Sequence, residues 1–187
     1  MSRPNQATPP KPPRVLTLTD HGWLNNPVSE RALHVARSYV GERETSHNSG
    51  PFVDRFLQAV GLKPGYPWCA AFVYNCLLEA GFPPQKLPSR SRAAAVRNWE
   101  SWARQHNAIR REPERGYLFY WINANGTGHI GFVRGVESTA AFSTIEGNTN
   151  PRGSREGDGV YQNTRTVADL RRRHAHGYID LLALAAL

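Results

Sequence analysis

Cysteine occurs only twice in this chain, and the two residues, Cys69 and Cys76, stand seven positions apart. On one helix that spacing separates their Cα atoms by roughly 10 Å, beyond the ~7 Å limit for bridging. A disulfide-stapled scaffold is therefore excluded. No C-x-x-C pair and no H-E-x-x-H pattern occurs, and the seven histidines have no metal-ligand spacing, so no metal site and no cofactor is expected. His174-Ala175-His176 reads as a surface or strand-edge pair. No apolar run approaches the ~20 residues of a membrane helix, and the apolar tail 181–187 reads as a final strand or docked end. The opening residues lack a continuous apolar stretch, so no secretory signal is expected and synthesis is placed in the cytoplasm. Acidic side chains are also few. Asp plus Glu number 15 against 23 Lys plus Arg, a net charge of +8 carried mostly by arginine. Such a charge calls for a polyanionic partner, yet no recognisable nucleic-acid fold motif accompanies it. The candidate contact residues are Arg90, Arg92, Arg97, Arg104, Arg110, Arg111, Arg115 and Arg171-Arg172-Arg173.

What the chain does contain organises as one domain. Its 187 residues can bury a single sizeable core, and neither a repeat nor a second linker divides it. Residues 1–14 are Pro-rich, polar and basic, which predicts a disordered arm; residues 15–187 form the expected catalytic domain. Ser29 is positioned to cap a helix over 30–40, and Pro51 to sit at the first position of a helix over 52–60. A third helix starts at Cys69 and ends before Gly81, with Phe72, Val73, Cys76, Leu77 and Ala80 on the same face as the thiol. A fourth is predicted from Ser91 to Arg104, with Trp99 and Trp102 as packing residues. Helices in the first half and strands in the second predict an α+β fold, the cysteine helix lying on an antiparallel sheet.

The cysteine helix carries the chemistry. Tyr66-Pro67-Trp68 supplies no Ser, Thr, Asp or Asn cap, so the first backbone N–H groups stay free to face an anion. The positive end of a helix favours thiolate over thiol, and a nearby imidazolium would add to that. Gly128-His129-Ile130-Gly131-Phe132-Val133 and Ala140-Ala141-Phe142-Ser143-Thr144-Ile145 read as two strands of a hairpin. A turn centred on 137 and 138 would pair His129 with Glu146, and Asn148 would point to the same face if its strand ran on regularly. Either Glu146 or Asn148 could then orient the ring, and a bulge would shift the register. A thiol, an imidazole and an orienting polar group are the parts of a cysteine hydrolase.

Three segments in this order, Pro67-Trp68-Cys69-Ala70-Ala71-Phe72-Val73, Gly128-His129-Ile130-Gly131 and Ile145-Glu146-Gly147-Asn148, resemble the CHAP domain. This is the cysteine, histidine-dependent amidohydrolase/peptidase module of bacterial and phage cell-wall hydrolases, and the likeness runs roughly from Val35 to Tyr161. The resemblance implies a papain-like plan, with Cys69 as nucleophile, His129 as general base, Glu146 as the residue that orients it and Asn148 assisting. It further implies a monomeric peptidoglycan hydrolase cleaving an amide bond, with N-acetylmuramoyl-L-alanine amidase slightly ahead of endopeptidase activity. A phage endolysin-like protein is the first expectation and an interbacterial effector, which would have an immunity protein, the second. Either would reach the wall by lysis, a phage particle or a secretion machine. Two departures stand out. Members commonly have Gly-Asp before the strand preceding the histidine strand, whereas this chain has Gly116-Tyr117; and Gly61-Leu62-Lys63-Pro64-Gly65-Tyr66 has no carboxylate, so no calcium site is expected there. Two other classes stay open: a catalytically silent basic wall-binding module, separable by Cys69 reactivity, and a basic nucleic-acid-binding protein, separable by salt-sensitive duplex binding.

Overall fold

The structure is a computed structural model that describes residues 27–186; the Pro-rich arm expected over 1–14 lies outside the described residues. Among the described residues, the first half supplies four α-helices, α1 (Val28–Ser38), α2 (Pro51–Ala59), α3 (Cys69–Glu79) and α4 (Val96–Gln105), with a 3-10 turn at Pro84–Lys86. The second supplies β1 (Ile109–Arg110), β2 (Leu118–Ile122), β3 (Gly128–Val136), β4 (Ala141–Thr149), β5 (Gly159–Thr166), α5 (Val167–Arg171), β6 (Ala175–Ile179) and α6 (Leu181–Ala185). The six strands form one antiparallel sheet in the order β1-β6-β2-β3-β4-β5. The fold is α+β and consistent with a papain-like plan.

Two helix starts differ from the sequence reading. Ser29 does not cap α1. Pro27 is the N-cap, its carbonyl accepting from Glu30 and Arg31, so that Ser29 falls inside the first turn and is buried against Gly116. The fixed φ of proline suits that entry, and the helix starts with no side-chain cap bond. The fourth helix begins at Val96, not Ser91, because the chain turns first: Arg92 and Ala93 both donate to the Ser89 carbonyl, and the Trp99 indole donates back to Ala93 O at 2.8 Å. The apolar tail docks as the helix α6, capped by the Asp180 side chain and burying Leu181 and Leu184.

α3 is the hub. Every residue from Cys69 to Leu77 is buried, since α1 and α2 cover one side of it and β3 and β4 the other. Phe72 fixes its rotation, meeting Phe56 edge-on at 5.5 Å, Phe132 of β3 at 6.1 Å and Tyr39 at 6.2 Å. A buried aromatic of this kind contributes roughly 1.5–3 kcal/mol by burial, and each ring pair about 0.5–1.5 kcal/mol more. The sheet is covered on both faces, which is why β2 reads as the unbroken apolar run Leu118-Phe119-Tyr120-Trp121-Ile122 and is buried throughout. Leu118, Tyr120, Ile130, Phe132 and Ile145 face the helices. Phe119, Trp121, Val133 and Phe142 face the other way and are closed over by Val167 and Leu170 of α5.

Candidate active site

Cys69 is the first residue of α3. Trp68, at the N-cap, offers no side-chain cap bond, and the first helical hydrogen bond is Phe72 N–H to Trp68 O at 2.8 Å. The N–H groups of the opening turn therefore have no partner within the helix. Trp68 is itself anchored, its indole N–H donating to Glu44 Oε1 at 2.7 Å and its ring lying 5.8 Å from Phe56. Cys69 is 5 % exposed, so the thiol is reached only from one side. Cys76 differs. It is fully buried, and burial first, then the charge of Glu79, push its thiol well above the ordinary range. Both cysteines are free thiols.

The histidine and glutamate meet, but not by the pairing that a symmetric hairpin predicts. β3 and β4 pair Phe132 with Ile145 and Val133 with Thr144, and a bulge at Arg134 then brings Gly135 opposite Ser143. Carried back along β3, that register puts Gly131 opposite Glu146, two residues from the expected partner. A slip of two preserves the face, so the Glu146 side chain reaches His129 diagonally. Gly131 makes room for it: a Cβ there would stand 2.9 Å from Glu146 Cγ, from Ile145 O and from Phe119 Cε1. His129 Nε2 lies 2.8 Å from Glu146 Oε2, with both side chains fully buried. Trp121, 4.7 Å from the His129 ring, packs on it from the side.

Glu146 is held by more than His129. Thr144 Oγ1 donates to its Oε1 at 2.5 Å, Arg165 Nε donates to Oε1 at 2.9 Å, and Arg165 Nη2 donates to Oε2. Burial raises the carboxyl, but hydrogen bonds from His129 and Arg165 and their charges outweigh it and bring it from 4.5 down to about 2. For His129, burial disfavours the charged ring; hydrogen bonding to Cys69 and Glu146, with the charge of both, prevails and raises it from 6.5 to about 9. At neutral pH the ring is thus an imidazolium lying between a carboxylate and a sulfur. Nδ1 makes no hydrogen bond among the described residues, while Cys69 is near enough to act on the ring's proton affinity. Unliganded catalytic pairs commonly have such loose geometry.

Asn148 makes no hydrogen bond to the ring among the described residues. A second irregularity, between the Glu146–Tyr161 and Thr149–Gly159 pairs, breaks the alternation of β4, and Asn148 adopts a left-handed backbone with φ of 57°. Its side-chain amide donates weakly to Arg155 O at 3.5 Å, and its buried Oδ1 has no partner among the described residues. The break lets Gly147 press against α3, where a Cβ would lie 2.7 Å from Phe72 and Trp68. The strand thus seats the start of the cysteine helix. Arg165 went unread in the sequence. It lies on β5 opposite Phe142, and no motif marks it; only the β4–β5 register, with the long reach of arginine, brings it to Glu146.

Residues 61–148 match the family model of the CHAP domain. That stretch holds Cys69, His129, Glu146 and Asn148 and stops short of Arg165. CHAP domains are typically cysteine- and histidine-dependent amidohydrolases or peptidases, and the match supports a peptidoglycan-hydrolase type of function. A solved structure described as "The crystal structure of Ly7917" is similar at 17 % identity and a TM-score of 0.45, over 82 % of this chain and 62 % of that one. The chain thus spans under two thirds of that protein's length. No curated protein matches it.

Around this site, the candidate arginines are spread over several elements and many are engaged. Arg115 grips Glu30 with two bonds at 2.9 and 2.8 Å, Arg110 pairs with Asp180 at 2.8 Å, and Arg104 pairs with Glu100 at 2.6 Å. Arg90 donates to the carbonyls of Gln58 and Ala59 at the end of α2. Trp99 is fully buried, and Trp102 packs at 4.3 Å from His106. Among the described residues, no group of three metal-ligating side chains comes together, and no helix is long and apolar enough to cross a membrane.

Proposed function

We propose that this protein hydrolyses an amide bond of peptidoglycan, with Cys69 as nucleophile, His129 as its acid–base partner and Glu146 as the group that orients and charges the ring. One observation carries the reading: the buried chain of hydrogen bonds from Arg165 through Glu146 to His129, which ends beside a cysteine at an uncapped helix start. Beside the imidazolium, the Cys69 sulfur reacts as thiolate. It attacks the amide carbonyl carbon, a C–S bond forms, and the carbonyl electron pair moves onto oxygen. The free N–H groups of the first turn of α3 receive that oxyanion. His129 gives its proton to the amine nitrogen as the C–N bond breaks. Water then attacks the thioester, losing a proton to His129, and the sulfur leaves.

The N-acetylmuramoyl-L-alanine bond is the favoured substrate amide, because a basic surface suits the carboxylates of the stem beside the glycan. A phage endolysin-like role comes first and delivery as an interbacterial effector second. The test is mass spectrometry of muropeptides released from purified walls. Stem peptides beginning with L-alanine beside peptide-free glycan are expected, whereas cuts within or between stems, with the lactyl amide intact, would make the enzyme an endopeptidase. Cys69→Ala is expected to abolish wall clearing while leaving the circular dichroism spectrum unchanged. Clearing equal to wild type would end the hydrolase reading.

A further inference from the structure

Beside the His129–Glu146 pair, bounded by Trp121, β5, α5 and the β4–β5 loop, lies a cavity of about 520 Å³ to which neither Cys69 nor His129 contributes. Arg152, Arg165 and Arg173 line it, against Asp169 as the single acid. Asp169 is already engaged, paired with Arg172 at 3.2 Å and receiving the Thr166 hydroxyl at 2.7 Å. Arg173 and Arg165 lie over the Trp121 ring at 5.1 and 5.4 Å. Trp121 is only 4 % exposed, and its indole N–H has no acceptor among the described residues. A buried donor left without an acceptor costs about 1–3 kcal/mol, and although Arg165 is paired with Glu146, Arg152 and Arg173 bring two further guanidinium groups to the same space, which repel one another unless an anion stands between them. Trp121, Pro151 and Leu170 add an apolar wall, which favours an anionic group carried on an organic body over a bare ion.

We propose that this cavity is a binding site for a small organic anion, a carboxylate or a phosphate, gripped by Arg152 and Arg173, with Arg165 and the Trp121 indole N–H at its floor. Planar guanidinium forks suit both groups, and charge-assisted bonds of this kind are among the strongest a protein surface makes. Arg165 keeps its two bonds to Glu146 and a third, from Nη1 to Gly153 O at 2.8 Å, which pins the loop that bears Arg152.

The test is a titration of the full-length protein, in wild-type and Cys69→Ala forms, followed through the indole N–H resonance of Trp121 assigned with Trp121→Phe. The probes are glutarate and inorganic phosphate at constant ionic strength. A saturable shift is expected, equal in the two forms, so that it stands whether or not the chain hydrolyses peptidoglycan. Arg152→Gln and Arg173→Gln, both exposed positions, should each weaken it about tenfold, the loss of one charge-assisted bond; Arg111→Gln, outside the cavity, should not. Tighter binding of glutarate would assign a carboxylate ligand, and tighter binding of phosphate a phosphorylated one. No saturation by either probe up to about 50 mM, the weakest range in which a built site is meaningful, or wild-type affinity in both arginine variants, would overturn the proposal.

Discussion

Replacing Glu146 by Gln tests the core of the proposed mechanism. The carboxylate is fully buried and accepts from His129, Thr144 and two nitrogens of Arg165. A glutamine offers one oxygen and an NH₂ donor, so at least one of those donors must face another donor. Removing one partner of a buried ion pair costs roughly 3–5 kcal/mol; the Arg165 side chain, 15 % exposed, keeps some access to water, which places the loss near the lower figure. Against a total stability of about 5–15 kcal/mol the variant stays folded. His129 fares worse. Its imidazolium loses the hydrogen bond and charge of Glu146, burial takes over, and the ring should titrate well below the present value of about 9. Turnover should fall on the order of 10³–10⁴-fold, the scale of losing the carboxylate of a catalytic triad. Asn148→Ala is the control: it breaks only a 3.5 Å contact to Arg155 O, and its activity should stay within about tenfold of wild type. The assays are turbidity clearing of purified walls, ring-proton NMR of His129 across pH, and chemical denaturation. A folded Glu146→Gln protein that keeps more than about a tenth of wild-type turnover, or an Asn148→Ala protein that loses more than Glu146→Gln does, would refute the reasoning.

Three further outcomes rest on the same geometry. Gly131→Ala puts a methyl group 2.9 Å from Glu146 Cγ, Ile145 O and Phe119 Cε1, two of them in packed positions; denaturation should register a loss of about 1–3 kcal/mol, with activity falling as the carboxylate is displaced. Glu146, lowered to about 2, stabilises the fold fully above about pH 4.5 and less as pH falls towards 2, while His129, raised to about 9, stabilises it fully below about pH 6.5 and less as pH rises through 9. Denaturation midpoints should therefore plateau between those limits and fall on both sides, and Glu146→Gln should flatten both arms; a wild-type curve as flat as that of the variant would deny the pair its energetic role. Clearing of intact walls should weaken as salt rises past ~0.15 M, where the Debye length is about 8 Å, while cleavage of a soluble stem-peptide amide should change little. Parallel loss on both substrates would place the salt effect inside the site.

The elements around the thiol were legible because their signals are local. Pro51 opens α2, the missing cap before Cys69 is real, and apolar spacing marked α3 as a buried helix. The misread boundaries had tertiary causes. Ser29 has good capping chemistry, but Pro27 starts the helix two residues earlier and the serine is buried. Ser91 likewise has a good cap side chain, yet the buried Trp99 indole needs the Ala93 carbonyl, and the chain supplies it by turning through residues 90–95. What decides each is burial, of Ser29 against Gly116 and of Trp99 in the core, which the neighbouring residues alone do not show.

The site itself divides along the same line. His129 and Glu146 could be matched from a hairpin alone because a register error of two leaves side chains on their original face; an error of one would have sent Glu146 into the helix-facing core. Near the turn, where Gly135 lies opposite Ser143, the strands are three residues out of the symmetric register, and the bulge at Arg134 takes up one of them, so that the slip at the pair is two. Asn148 failed the same extrapolation because its irregularity lies between it and Glu146, where a single left-handed residue undoes the alternation. Arg165 lies beyond any pattern of this kind. It is 19 residues from Glu146, on the next strand and opposite Phe142, and it meets the carboxylate only through the length of its side chain. Yet without it a fully buried carboxylate would keep only His129 and the Thr144 hydroxyl against a desolvation that favours the protonated acid. A charged Glu146, and with it a charged His129, therefore depends on a residue outside the three motifs, which is why the motifs alone identify the reacting groups without accounting for their ionisation.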